Sequence, residues 1–463
     1  MSSGILNIDG LVSGLNTTDI INQLLEVERI PITRLEARKS EYEQKIALWQ
    51  EANTKLLALQ TAASSLASES TFQEKAVSVS NESILTATAT SSAVTGTYLL
   101  RVEQLAYAHQ IATSSSYADY DTTTFGEGII TIQVGTGTPV EINIDSSNNT
   151  LEGIKNAINS SGAGATASIV NTTDGYKLLL SSNQTGLEGA LTVTSDLSGG
   201  EATLSDFYDI QPAQNARINL GTSEGGATPL VYESSSNLVE DLIPGVSLNL
   251  KAASTESVVL TVEDDLESIK GSIRNLVARF NEFQDFVSRN TSFDVDTGVA
   301  GALLGDTSLQ RIQYQILNSL FQRVTNSYFE NVAEIGISVD RYGRLSLDES
   351  KLEEALQNNL EEVEKLFVDQ GVGVSLKESL DFIVDPYQGI VKNNQDLYQG
   401  LIEDINERIE ILEERLSRKE EFWREQFVAL EEALAAFQTQ GVWLTQQLAS
   451  LSALAQSSSN QRS

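Results

Sequence analysis

LIEDINERIEILEERLSRKEEFWREQFVALEEALAAFQTQGVWLTQQLASL, Leu401 to Leu451, is the stretch around which the rest of the chain is organised. Ile405, Ile409, Leu412, Leu416, Trp423, Phe427, Leu430, Leu434, Phe437, Leu444, Leu448 and Leu451 recur three and four apart, a heptad seam. The alternation slips once: Leu416, Lys419, Trp423, Phe427 and Leu430 follow a 3-4-4-3 spacing, the form of a stutter that locally relaxes a supercoil. Glu407, Arg408, Glu410, Glu413, Glu414, Arg415, Arg418, Lys419, Glu420 and Glu421 lie between the seam positions as a solvated face of both signs. A helix of this kind cannot bury its seam alone and needs a partner.

A mate stands at the other end of the chain. Asn16-Thr17-Thr18-Asp19 supplies a polar cap, and Ile20, Ile21, Leu24, Leu25 and Val27 form an apolar stripe behind it. Pro31 suits the start of a new helix better than the middle of one, which places a kink or hinge at Arg29 to Thr33. A second helix then runs to about Leu66, with Leu35, Tyr42, Trp49, Leu56 and Ala63 seven apart. It is a natural antiparallel or parallel partner for the C-terminal helix. Terminal helices are the easiest to leave undocked, so the candidate partner-binding seam comprises Ile20, Leu24, Leu35, Tyr42, Trp49 and Leu56 from the first end with Trp423, Phe427, Leu434, Leu444, Leu448 and Leu451 from the second.

Between the two ends the character changes. After Phe72 come Ser, Thr, Gly, Asn and Val in alternating patterns, and from Ala76 to Leu260 the only basic residues are Arg101, Lys155, Lys177, Arg217 and Lys251. One unit stands out: strands through Ile130, Ile132 and Val134 and through Val140, Ile142 and Ile144, a helix Thr150 to Asn159, and strands Ala165 to Val170 and Tyr176 to Ser181 joined by Thr172-Thr173-Asp174-Gly175. It has the order ββαββ. From Val262 the helical period returns. Leu266, Ile269, Ile273, Leu276, Phe280, Phe283 and Val287 alternate strictly and point to an intramolecular bundle. A helix over Leu309 to Leu320, a hairpin pairing Ile337 and Val339 with Leu345 and Leu347, and a helix opened by a Ser350–Glu353 capping box complete the plan.

The expected fold is therefore multidomain α+β: a long helical coiled-coil leg formed by both chain ends, with β-rich head domains inserted between them. The expected divisions are residues 1–75 with 262–463 for the helical part, 76–118 with 197–261 for a β-rich head domain, and 119–196 for the inserted ββαββ domain.

Composition narrows the function. The 463 residues carry 64 Asp and Glu against 30 Lys and Arg, a formal charge of -34 that repels nucleic acid and anionic membranes. No stretch approaches a membrane span, so no membrane insertion is expected, and the N-terminus lacks the basic and apolar regions of a secretory signal. With no Cys and one His, disulfides, thiolate metal sites and thiol nucleophiles are excluded together. Asp294-Val295-Asp296-Thr297-Gly298 resembles the start of a calcium loop, but its Gly is one position early and Gly305 stands where the bidentate Glu belongs, so a polar turn is the expectation. His109 has no Cys or carboxylate pair beside it in sequence and is expected to be a packing or surface residue. No phosphate loop, nucleophile elbow or zinc signature is present, and neither catalytic residues nor cofactors are expected.

Several stretches resemble the flagellar filament cap protein family, the flagellar hook-associated proteins 2: Gly10 to Ile21, Glu28 to Leu35, Leu151 to Asn159 with its flanking strands, the hairpin from Ile335 to Asp348, and Arg415 to Leu448 ending Gly441-Val442-Trp443-Leu444-Thr445-Gln446-Gln447-Leu448. One oddity is Gly441 at a seam position, which loosens the helix by about 1 kcal/mol relative to Ala. The resemblance covers nearly the whole chain and is weakest from about Leu191 to Leu260. It implies a non-enzymatic assembly factor at the extracellular tip of a bacterial flagellum, exported through the flagellar channel without a cleaved signal peptide. It further implies a ring-like homo-oligomer, contacts with flagellin and with the hook-filament junction proteins, and a dedicated export chaperone at the C-terminal helix. A second reading, from a different class, is an adhesin whose Ser/Thr-rich head binds glycans or host surfaces.

Overall fold

The computed structural model describes residues 14–204, 206–221, 227–295, 298–325 and 327–459. The opening signature from Gly10 to Ser13 lies outside them. Two compact units are present, one made of residues 68–272 and the other of 1–67 with 273–463. The chain opens with helix α1 (Thr17–Leu66), capped by the Asn16 side chain, which accepts from the Asp19 N–H.

The continuous unit starts with the short α2 (Glu69–Phe72) and is otherwise almost all strand. Its strands are β1 (Lys75–Val79), β2 (Leu85–Ala89), β3 (Gly96–Gln104), β4 (Ala108–Thr113), β5 (Gly126–Val134), β6 (Val140–Ile144), β7 (Ala165–Thr172), β8 (Gly175–Thr185), β9 (Leu191–Ser195), β10 (Ser198–Gly199), β11 (Phe207–Gln211), β12 (Ala216–Leu220), β13 (Leu230–Ser234), β14 (Leu238–Ile243), β15 (Val246–Leu250) and β16 (Val258–Asp264). Helix α3 (Leu151–Ser160) lies between β6 and β7. Two cores form. In the first, a sheet ordered β1-β16-β3-β12-β13 and a sheet ordered β14-β15-β2 bury Leu85, Leu100, Val102, Ile218, Leu248 and Leu260. Strands β1 and β16 pair antiparallel from Lys75↔Asp264 to Val79↔Leu260, and the Lys75 ammonium meets Asp264 at 2.5 Å.

The second core is the ββαββ unit and more. Ile130, Ile132, Leu151, Ile154, Ile158, Leu178 and Leu180 are all buried. Thr150 caps α3 by accepting from the Gly153 N–H at 3.2 Å, and the Asn159 amide takes both backbone groups of Ala167, at 2.7 and 2.9 Å, fixing the helix to β7. The β7–β8 turn requires glycine at 175: its φ is 124°, and a Cβ there would stand 2.6 Å from the Tyr117 carbonyl oxygen. One placement departs from the expected segments. Strands β4 and β11, expected among residues 76–118 and 197–261 of the larger β domain, join β8 and β7 in a sheet ordered β11-β4-β8-β7, and their Ile111 and Phe207 pack on the ββαββ core. The reason is an edge. Eleven-residue β8 pairs with β7 on one side only, and its other side must find backbone partners, which β4 supplies.

Two polar clusters stabilise this unit. On β3, Glu103 accepts from Asn219 at 2.7 Å and from Arg101 at 2.6 Å, with Arg217 at 3.2 Å; the Asn219 bond first, and then Arg101, hold its carboxyl below the ordinary range. His109 is 8% exposed, as a packing residue should be. Its Nδ1 accepts the Leu191 N–H at 2.8 Å, so the proton resides on Nε2, which donates to Asp209 at 3.1 Å.

The other unit is helical. Helix α4 (Leu266–Thr291) begins in the β-rich unit, and from Ile273 onward it belongs to the helical one, where Ile273, Leu276, Phe280, Phe283 and Phe286 are buried. Asp306 caps α5 (Thr307–Leu320), and the hairpin of β17 (Ile337–Val339) and β18 (Leu345–Leu347) is pinned to α4 by Asn281, whose amide takes both backbone groups of Leu345 at 2.8 Å. Helix α6 (Glu349–Phe367) is capped by Asp348, which accepts from Ser350 and Lys351 at 3.2 Å; the cap therefore lies two residues before the expected one, and Ser350 lies inside the first turn. Helix α7 (Val372–Val384), apolar on most faces, packs against α1, α5, α6 and α8 (Ile390–Ser459).

The segment Arg29 to Thr33, expected as a kink or hinge between two helices, does not separate them. Helix α1 runs without interruption through Pro31 for 50 residues. Proline removes one hydrogen bond, to the Val27 carbonyl, and Val27 is 64% exposed, so water reaches the freed oxygen. Packing of α1 against α8 supplies the rest.

Candidate functional site: the pair of terminal helices

Helices α1 and α8 run antiparallel: Tyr42 lies 5.8 Å from Tyr398 between ring centroids, while Glu28, earlier on α1, meets Lys419, later on α8, at 2.5 Å. Along this pair, on both sides of the Glu28–Lys419 contact, a small core of Ile21, Leu25, Ile32 and Leu416 is buried, with Ile409, Leu412, Trp423 and Phe427 packed on it. Burial opposes the charge on Lys45, but its hydrogen bond to Glu41 wins and raises the pKa of the ammonium; burial likewise pushes the Tyr398 phenol up.

Ten of the twelve seam residues fall into three groups. Trp49 and Leu56 are fully buried inside the helical unit and are closed to any partner. Leu35, Tyr42, Trp423, Phe427 and Leu434 are half-buried along the pair. Leu444, Leu448 and Leu451 are exposed at 56%, 60% and 59%, together with Phe437, Val442 and Trp443. Ile20 is half-buried and Leu24 is 40% exposed, while Ile21 and Leu25 take the face turned to α8. The signal that finds them is the heptad itself. Counting back from Trp49 through Tyr42 and Leu35 in sevens lands on Ile21, a register that a break at Pro31 would have erased.

A second feature escaped the sequence reading. Pro31, Arg34, Leu35 and Arg38 on α1 face Arg408, Ile411 and Leu412 on α8 across a groove of about 540 Å³. A helical wheel of either sequence shows the arginines as solvated charges, and only the antiparallel pairing brings them together.

Among the described residues no group of three or more His, Asp or Glu is placed to hold a metal ion, and no helix is long and apolar enough to cross a membrane. At the suspected calcium loop, the Gly298 N–H closes on the Asp294 carbonyl at 2.9 Å and the Asp294 N–H on Val299 at 2.9 Å; Asp296 and Thr297 lie outside the described residues.

Comparison with known proteins bears on both the pair and the inserted unit. A family profile described as flagellar hook-associated protein 2 N-terminus matches residues 13–109, and one described as flagellar hook-associated protein 2 C-terminus matches residues 213–439. The B-type flagellar hook-associated protein 2 of Pseudomonas aeruginosa is 31% identical over 438 residues, covering 90% of this chain and 92% of the relative. The chain belongs to the flagellar hook-associated protein 2 family. The Escherichia coli K12 member is 28% identical and covers 95% of this chain and 97% of its own. The crystal structure of the D1-D2-D3 domains of the Escherichia coli flagellar cap protein FliD superposes with a TM-score of 0.63 at 29% identity, covering 76% of this chain and 99% of that one. The chain is thus a flagellar filament cap protein, with helical ends, an antiparallel β-rich middle and the α+β class expected for the family. No relative found supports the adhesin reading.

Proposed function

We propose that this chain works at the outer tip of the growing filament as a homo-oligomeric plate that retains exported flagellin and shelters its folding and insertion. In this reading the ends α1 and α8 are legs that contact flagellin, the β-rich unit is the head, and its two cores are separate head domains with the inner one bounded near Tyr107 and Gln214. Export needs no cleaved signal, the role is structural and not enzymatic, and the hook-filament junction proteins and an export chaperone at the end of α8 are further partners. The supporting observation is the far end of α8. Phe437, Leu444, Leu448 and Leu451 keep a 7-4-3 heptad spacing yet are more than half exposed, so among the described residues the seam continues past α1 and offers itself to another helix.

The test is complementation of cells lacking their own cap protein with a chain ending at Gln440, and with Leu444→Asp/Leu448→Asp. Both are expected to be exported and folded, because the altered side chains are already in water, and to leave flagellin in the medium instead of in filaments. Full-length filaments from either exported variant would refute the leg mechanism. Normal filaments with lost surface attachment would instead favour the adhesin.

A further inference from the structure

The arginine-lined groove between α1 and α8 has a chemistry unlike the rest of the molecule. Its floor is Leu35, Ile411 and Leu412, with Ile411 56% exposed and the two leucines half-buried. Its walls are the exposed side chains of Arg34, Arg38 and Arg408. Several other cations of the same two helices are held by carboxylates: Lys45 by Glu41, Lys55 by Glu51, Lys419 by Glu28 and Arg424 by Glu420. Among the described residues none of the three groove arginines has an ion pair, and Arg38 only leans over the Tyr42 ring at 5.8 Å.

This arrangement opposes the tendency of the chain. The chain as a whole carries 64 acidic residues against 30 basic ones. Arg34 and Arg38 stand instead at i and i+4 on one helix, where like charges repel, and α8 adds a third across the groove. Three planar forks with free donors around an apolar floor match carboxylates flanking an apolar stripe.

We infer that this groove is a docking site for an acidic amphipathic helix of another polypeptide, its Leu or Ile side chains on Leu35, Ile411 and Leu412 and its Glu or Asp side chains on Arg34, Arg38 and Arg408. The inference does not depend on the exposed end of α8, which lies elsewhere on the helix. The excess of negative charge on the rest of the chain steers such a helix away from other surfaces and leaves the groove as its favourable landing place.

The test titrates the full chain into a fluorescent amphipathic peptide with Leu along one face and Glu along its flanks, followed by anisotropy. Binding is expected to saturate and to weaken as salt rises from low to physiological. Arg34→Glu/Arg38→Glu/Arg408→Glu should weaken it by about tenfold or more, whereas the same reversal at Arg311, Arg323 and Arg341, which alters net charge equally, should leave it unchanged. Circular dichroism and melting check the fold, and Arg34→Gln/Arg38→Gln/Arg408→Gln serves if the reversal fails to fold. Equal binding by both reversed chains overturns the inference, as does equal affinity for a scrambled peptide of the same composition or for one with Lys in place of Glu. Self-association of the chain that disappears on reversal of the groove arginines would make a second copy the occupant, and saturable binding to anionic vesicles with none to the peptide would make it a membrane surface; either result overturns it.

Discussion

Replacing Pro31 by Ala should stabilise the helical unit. Proline costs about 3 kcal/mol relative to alanine in a helix interior, through a lost hydrogen bond and a ring clash with the carbonyl four residues back. Here the orphaned acceptor is the carbonyl of Val27, a residue 64% exposed, so hydration recovers part of that penalty. Thr33, which donates its hydroxyl to the Arg29 carbonyl at 3.4 Å, adds only a weak compensating contact. The remaining gain is roughly 1–2 kcal/mol, which corresponds to a rise of roughly 2–8 °C in the melting temperature of a unit of this size. Calorimetry of the full chain resolves it if the helical and β-rich units melt separately, and hydrogen exchange localises it: the amides from Val27 to Leu35 should become better protected in Pro31→Ala. An unchanged or lower transition, or unchanged protection around Val27, would show that α1 is not a continuous helix at this point in solution.

Two further outcomes are expected. Trp49→Ala should lower stability by about 3–5 kcal/mol in urea unfolding, because the side chain is fully buried; a loss below about 1 kcal/mol would mean that the root of α1 is not core. Glu103→Gln should narrow its stability deficit as the medium is acidified: a carboxyl held below its ordinary range stabilises the fold fully above the unfolded value of about 4.3 and loses that contribution as pH falls through the folded value, so a deficit independent of pH between 7 and 3 would contradict the Asn219 and Arg101 network.

The helices were legible because their physics is periodic. Ile273, Leu276, Phe280 and Phe283 can satisfy a 3-4 spacing only by facing one core, and they do. The ββαββ order followed in the same way from alternation in β5 and β6 and from the stripe Leu151, Ile154 and Ile158. What sequence did not show was competition between neighbours. Asp348 caps α6 ahead of Ser350, β4 and β11 are drawn to the free edge of β8, and the register of α1 overrides the local preference of Pro31. The arginine groove belongs to the same class. Arg34 and Arg408 are 374 positions apart in sequence, and no local pattern anticipates their meeting.

The antiparallel pairing of β1 with β16 bears on how the helical unit assembles after the chain emerges. Its two segments are encoded on either side of the β-rich insert, and closing a flexible loop as long as the 189-position separation of Lys75 and Asp264 costs about 4–5 kcal/mol of chain entropy. Once β1 and β16 are paired, that cost has already been met within the insert. Helix α1, ending at Leu66, and helix α4, starting at Leu266, are then joined across short tethers instead of a long coil, so mutations that weaken the β1–β16 ladder should slow formation of the helical unit without touching any residue in it.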